Sequence, residues 1–235
     1  MAERKNSRET LINNATYLFY DIGFEATTMR LIAEKSGITH PALFHRFKNK
    51  ADIATVLVRR FLKGILRITE KYLEEENLSA DCDEALLFYW TAYFYYCRND
   101  SNLFRFLSEF SNASRRDYDS VGNDYYTQIF RNLMNWNYAA SDIEYRLYSM
   151  LLGASADILA KAAYRGDVSV SKAVEEMTNI VYGIVRIERP YHGDDVERFV
   201  NGLDRKYLSY SVLEDFLLTD LGDLYDEEED SEDVR

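Results

Sequence analysis

Breakers of regular structure are scarce in this chain. It has 2 Pro and 10 Gly in 235 residues, which excludes a proline- or glycine-rich low-complexity chain and favours long uninterrupted helices. Its 2 cysteines, Cys82 and Cys97, are too few for a disulfide scaffold and read as small buried hydrophobes in a reducing compartment. With 3 His, no glycine-rich phosphate loop, no nucleophile elbow and no paired metal-ligand spacing, the sequence assembles no catalytic constellation. An enzyme is therefore not expected, and neither a cofactor nor a metal is implied. No apolar run reaches the ~18 residues a membrane span needs. The opening MAERKNSRET lacks the apolar core of a secretory signal.

The composition is otherwise 47% hydrophobic and 29% charged, enough to bury a sizeable core. The net charge of -12 divides unevenly. Residues 1–60 hold 10 Lys+Arg and 6 Asp+Glu, a balance of +4; the rest holds 18 against 34, or -16. Binding of a polyanion depends on the field within about a Debye length, not on the total charge. A basic head on an acidic body is therefore compatible with nucleic acid at the head.

The stretch Thr27–Lys50, TTMRLIAEKSGITHPALFHRFKNK, organises that head. Thr28 can cap one short helix whose apolar face is Ile32 and Ala33. Gly37 supplies the left-handed residue that ends it. Ile38 is the buried staple of the turn, Thr39 caps a second helix, and Pro41 sits in that helix's first turn, where its missing N–H breaks no ladder bond. Leu43 and Phe47, four apart, point inward; His40, Pro41, Ala42, Phe44, His45 and Arg46 mostly face out. A second helix that buries two residues and displays the rest has the pattern of the recognition helix in a helix-turn-helix DNA-binding module.

Together with the preceding helix, these residues resemble the tetracycline-repressor (TetR) family of bacterial transcription regulators. The resemblance runs through Leu11-Ile12, Ala15, Leu18-Phe19, Gly23-Phe24, Thr27-Thr28, Ile32-Ala33, Gly37-Ile38, Leu43-Phe44, Phe47, Lys48 and Lys50, about the first quarter of the chain. It implies an all-α protein with a three-helix DNA-binding domain at 1–50 and a connecting helix at about 50–74. A helical effector-binding and dimerisation domain would come next, at 75–225. It further implies a homodimer on double-stranded DNA with a palindromic operator, a repressor released by a small-molecule effector, and residence at the bacterial nucleoid in the cytoplasm. By the same resemblance His40, Pro41 and Phe44 face base edges, with Arg30 reaching in, while Thr28, Thr39, His45, Arg46 and Lys50 serve phosphates. Two departures stand out. Phe44 replaces a commoner Tyr, and Leu31 stands where an acid would complete a capping box with Thr28.

Ahead of the turn, Leu11, Ala15, Leu18, Phe19 and Ile22 share one face of a first helix expected over Ser7–Ile22 and closed by Gly23. A fourth helix is expected from Lys50 to about Glu74 with the stripe Ile53, Val56, Leu57, Phe61, Ile65 and Ile68. CDEALLFYWTAYFYYCRN, from Cys82 to Asn99, is apolar nearly all round and should be buried on most sides. Its Tyr89, Trp90, Tyr93, Phe94, Tyr96 and Cys97 read either as plain core or, with Phe104, Phe110, Tyr126 and Phe130 from two later helices, as the wall of a pocket for an apolar or aromatic ligand. Those later helices, Leu103–Phe110 and Tyr118–Trp136, are expected to be divided by the polar stretch SNASRRDYDS. Helices at about Ser141–Tyr164 and Ser171–Ile187 carry the seams Leu147, Leu151, Ala154, Ile158 and Val174, Met177, Val181, Ile184. These fit an internal hairpin or a two-fold interface; the family resemblance favours the interface, through about 141–187. Asp194–Leu221 adds one or two helices that would cover the pocket or widen the dimer contact. Residues 226–235 form a like-charge run expected to be disordered, either solubilising or mimicking DNA. A DNA-binding architectural or partner-binding protein with no small-molecule effector is the rival reading.

Overall fold

The computed structural model describes residues 2–79, 83–121, 142–185 and 193–219. Tyr126 and Phe130, most of the expected helix Tyr118–Trp136, and the acidic run lie outside the described residues. Among the described residues all regular structure is helical. The order is α1 Ala2–Ala26, α2 Met29–Lys35, α3 His40–Phe44, α4 Lys50–Glu75, α5 Asp83–Asn99, α6 Ser101–Ala113, α7 at 115–121, α8 Asp142–Arg165, α9 Val170–Val185 and α10 Gly193–Gly202. A 3₁₀ turn, Arg205–Leu208, and a π-helical turn, Val212–Leu217, come after α10. No described helix is long and apolar enough to cross a membrane.

α1 starts earlier than expected and breaks at Gly23, whose φ of 89° and ψ of 170° suit a residue without Cβ. Leu11, Ala15 and Phe19 are buried as the periodicity requires, but Ile22 is exposed. The break turns the chain so that Phe24 takes the inward place and stacks on Phe19, ring centroids 5.6 Å apart. The expected division of the polar stretch shrinks to a single residue, Ser114 (φ -142°, ψ 57°), where α6 ends. Asp100 caps α6 by accepting from the N–H groups of Asn102 and Leu103.

α4 is the axis of the molecule. Its expected stripe is buried at Ile53, Leu57, Phe61, Ile65 and Ile68, and Ala54, Val58, Leu62, Leu66, Tyr72 and Leu73 are buried as well. One stripe would suffice against one neighbour. α4 packs against α1, α5, α6 and the 212–217 turn, so most of its circumference is covered. The segment after α10 thus lies along α4. Tyr72 stacks on Phe88 at 4.3 Å and 10°, and Tyr207 meets Tyr72 edge-on.

The α9 seam is also reassigned. Val174, Met177 and Val181 are fully buried against α5, α8 and α10, so they form internal core. The α8 seam is not: Ile143, Leu147, Met150, Leu151 and Ile158 are between 46% and 71% exposed. Among the described residues this apolar ridge of α8 is left exposed.

Gly64 of α4 faces Phe216; a Cβ there would lie 2.5 Å from the ring atoms Cγ and Cδ1. In an open helix Gly→Ala stabilises by ~1 kcal/mol, whereas overpacking costs ~1–3 kcal/mol. Gly64→Ala is expected to lower the urea midpoint, and to raise it in a Phe216→Ala background. Stabilisation of the otherwise unaltered protein would show that Phe216 does not press on α4.

Candidate nucleic-acid interface

The turn between α2 and α3 is built by local chemistry. Thr28 accepts from Leu31 N–H at 3.2 Å and Thr39 from Ala42 N–H at 3.4 Å. Gly37, at φ 64°, closes α2: its N–H donates to Glu34 and that of Ile38 to Ala33, both at 3.1 Å, the paired bonds of a left-handed cap. α3 buries Leu43 and the chain beyond it buries Phe47, while His40, Pro41, Ala42, Phe44, His45 and Arg46 are exposed. Phe44 is 44% exposed, and its ring and that of His40 meet edge-to-face with centroids 4.6 Å apart. Exposure of a large aromatic beside an imidazole on a short helix leaves a side-chain surface able to reach base edges. Arg30 and Lys48 are exposed too.

Immediately after this surface, Asn49 caps α4 and accepts from Asp52 N–H at 3.1 Å, while Asp52 accepts from the N–H groups of Lys48 and Asn49. This reciprocal box is the device that Leu31 denies to α2. The sequence N-K-A-D carries it and could have disclosed it.

Lys50 is placed differently from its expected phosphate role. Its ammonium turns inward and donates to the carbonyls of Phe24 at 2.6 Å, Thr27 at 3.0 Å and Glu25 at 3.4 Å, and sits 4.2 Å from the Phe24 ring centroid. Burial lowers its pKa, with the Glu109 and Glu25 carboxylates acting the other way. Carbonyls freed by the break at Gly23 must find donors, and Lys50 supplies them. The family pattern assigned the residue to DNA; the fold uses it as a staple between α1, α2 and α4.

The same break is gripped from α6. Glu109 accepts from Glu25 N–H at 2.9 Å, and Arg105 donates to the carbonyls of Tyr20 and Asp21 at 2.8 and 2.7 Å. Tyr20 donates to Asp100 at 2.6 Å; burial chiefly, then the Asp100 carboxylate, raises its pKa. None of these contacts was anticipated, since residues about 80 apart meet only after folding.

A family model described as "Bacterial regulatory proteins, tetR family" matches residues 11–56. These residues belong to the tetR family of regulatory proteins. The tetR-type head is 40% identical over 58 residues to the tetracycline repressor protein class C of Escherichia coli, which is 25% of this chain and 26% of that one. It is also 40% identical over 67 residues to the transcriptional repressor KstR2 of Mycolicibacterium smegmatis, 28% of this chain and 33% of that one. The chain thus matches about a quarter to a third of the length of these relatives. Over the whole fold, the Thermus thermophilus FadR repressor solved with lauroyl-CoA superposes with a TM-score of 0.56 at 19% identity, covering 79% of this chain and 98% of that one. That likeness establishes the shared helical architecture beyond the tetR-type head.

The second expected site is only partly assembled. Tyr89, Trp90, Tyr93 and Phe94 are fully buried and in mutual ring contact at 5.1–5.9 Å. Cys97 is buried beside Tyr93, and burial chiefly raises its thiol pKa, with a smaller opposing hydrogen bond from Tyr93. The others face elsewhere. Tyr96 meets Phe216 edge-on at 5.3 Å, Phe104 stacks on Tyr164 of α8 at 3.7 Å, and Phe110 lies 5.0 Å from Phe24 in the head. α5, apolar all round, turns Tyr96 away from its other aromatics, while Phe104 and Phe110 stand on α6 with neighbours of their own, so helical spacing alone did not define one wall. Unanticipated polar groups sit close by. Asp157, buried on α8, accepts from Ser111 at 3.1 Å and from Arg115 and Lys161 at 3.0 Å each.

Lys50→Met is expected to cost about 1 kcal/mol of stability by removing the donor to part-buried carbonyls while leaving the salt dependence of DNA binding unchanged at temperatures where the variant is folded. Lys48→Ala is expected to leave stability unchanged and reduce the salt slope by about one. Urea melts and fluorescence anisotropy at several salt concentrations distinguish the two; a reduced slope for Lys50→Met would return that residue to the phosphate contacts.

Proposed function

We propose that this chain is a sequence-specific transcriptional repressor that binds a palindromic operator as a homodimer and is released by a small apolar or aromatic ligand. The observation that carries the DNA-binding part is the tetR-type α3, which buries Leu43 and presents His40, Pro41, Phe44 and their neighbours to solvent. His40 is proposed to donate to a purine acceptor, Arg30 to take a guanine through its fork, and Pro41 and Phe44 to cover a thymine methyl. Thr28, Thr39, His45 and Arg46 are proposed to hold phosphates, joined by Lys48 in place of Lys50.

Dimerisation is assigned to the exposed ridge of α8. Five large apolar side chains on one helical face, Ile143, Leu147, Met150, Leu151 and Ile158, expose more apolar surface than a lone helix face normally tolerates in water. Pairing with the same ridge of a second copy buries it isologously. Two heads would then address half-sites about 34–36 Å apart.

The proposed domains keep the same division: a reading head through residue 50, α4 as connector, and an effector and dimerisation body beyond. Release requires the ligand to bind one arrangement of the body better than another. The structure offers two routes to the head, α4 itself and the α6 grip on the Gly23 break. The Thermus thermophilus FadR is a repressor solved with lauroyl-CoA, which supports an apolar effector here. A second reading, a DNA-binding architectural or partner-binding protein without a small-molecule effector, draws on the close mutual packing of Tyr89, Trp90, Tyr93 and Phe94. A thermal-shift screen of fatty acyl and aromatic compounds, repeated with operator present, separates them. Stabilisation by one compound together with loss of operator supports the first; no response across the screen favours the second.

Selection from a random duplex library is expected to enrich an inverted repeat with half-sites about one turn apart. His40→Ala should relax preference at one base pair per half-site with little change in salt slope. Enrichment of no sequence would leave phosphate attraction alone. Leu147→Asp should convert the dimer to a folded monomer in sedimentation and abolish binding to the full palindrome. A dimer that survives this change would move the interface off α8.

A further inference from the structure

Beyond α10 the chain runs antiparallel to α4. Lys206 lies 3.7 Å from Glu75 and the Tyr207 hydroxyl donates to Glu76. Lys71 donates to the Tyr210 hydroxyl at 2.9 Å. Phe216 covers Gly64, and the Leu217 carbonyl accepts from Arg60 at 3.0 Å. Contact positions on α4 therefore descend from 76 to 60 as the chain advances from 206 to 217. At ~1.5 Å per residue this carries the chain more than ~20 Å toward the reading head and leaves Leu217 ~15 Å along the axis from Lys50. Arg60 also donates to Glu9 at 2.7 Å and to Asn13 at 3.3 Å, both on α1, so the segment is delivered to the head itself.

Past Thr219 the sequence is intensely acidic. Residues 220–235 hold Asp220, Asp223, the run Asp226–Asp230, Glu232 and Asp233 against Arg235, nine acids minus one base, or -8. The head carries +4 over residues 1–60, with Arg30, Lys35, Arg46 and Lys48 exposed and the apolar Leu31 and Phe44 exposed among them. Sixteen residues span up to ~50 Å, well beyond the ~15 Å remaining. A tether of this length holds a ligand at an effective concentration of order mM, where even a weak ionic contact is populated.

We propose that residues 220–235 dock on the cationic face formed by α2, α3 and the start of α4, where they compete with DNA. Leu221, Leu224 and Tyr225 interleave the acids and match the exposed Leu31 and Phe44, as charge alone would not. The consequence is selectivity. A contact of phosphate type is suppressed on any duplex, while a correct operator, adding base contacts, displaces the segment. The competition rests on the DNA-binding reading; the docking does not.

The test uses three forms of the protein without DNA: the full chain, the chain ended at Thr219, and the full chain with Asp226→Asn, Glu227→Gln, Glu228→Gln, Glu229→Gln and Asp230→Asn. Amide resonances of residues 28–50 should move in the two altered forms in the same direction, and high salt should move those of the full chain likewise. Non-specific duplex should then bind about tenfold more tightly at low salt to either altered form, with the gap closing as salt rises. Unmoved head resonances overturn the docking, and tighter DNA binding with unmoved resonances assigns the gain to net charge alone. Moved resonances with unchanged DNA affinity overturn the competition. Moved resonances in a protein that binds no duplex in any form keep the docking and refute the DNA-binding reading.

Discussion

The helical break at Gly23 leaves backbone carbonyls that α1 cannot satisfy, and the Lys50 ammonium answers three of them, those of Phe24, Glu25 and Thr27. A cation drawn into a half-buried site sacrifices hydration, offset here by charge-assisted hydrogen bonds and by the face of the Phe24 ring. That exchange fixes where α1 stops, where α2 begins and where the first turn of α4 lies. α3 is only five residues long and has no stability of its own; its orientation is inherited from this arrangement through Leu43, Phe47 and the Asn49–Asp52 box. The orientation of α3 thus depends on a lysine whose ammonium turns inward.

From that point the body is tied to the head along two lines. One is α4, packed against α1, α5, α6 and the 212–217 turn, with Arg59, Arg67, Glu70, Lys71 and Glu74 on the face it leaves to solvent. The other is the α6 grip, in which Arg105 takes carbonyls before the break and Glu109 takes an N–H after it. The backbone angle at Gly23, φ 89°, requires glycine there, and a Cβ would additionally push on the Glu109 carboxylate, 2.4 Å away. Packed interfaces of this kind shift between discrete arrangements and do not deform continuously. A small repacking near α6 would therefore reach the head as a change in its position.

The charge distribution is consistent with this division of labour. The acidic body keeps the molecule from adhering broadly to polyanions, while the local +4 of the first 60 residues permits attraction at one face. Among the described residues most of the exposed large apolar side chains lie on α8, with Phe44 on α3, Leu31 on α2 and Tyr17 and Ile22 on α1. The buried Asp157 set with Ser111, Arg115 and Lys161 shows the opposite treatment of charge: one carboxylate taken into the core with its partners supplied.

The head was legible in the sequence because its signals are local: Thr28, Gly37, Thr39 and Pro41 act within a few residues, and the inward pair Leu43 and Phe47 keeps helical period. Among the described residues, the body helices α5, α6, α8 and α9 were legible for the same reason, to within a few residues at their ends. Three things were decided only by tertiary structure. Lys50 was reassigned because its partners are 23 to 26 residues away. The seam on α9 became core while that on α8 stayed bare, since equal periodicities do not say which neighbour covers them. The aromatics of α5 were shared among several helices, because a helix apolar on every side carries no direction. Sequence specifies which side chains leave water; only the packed chain specifies what they meet, since those contacts form between residues that no local pattern connects.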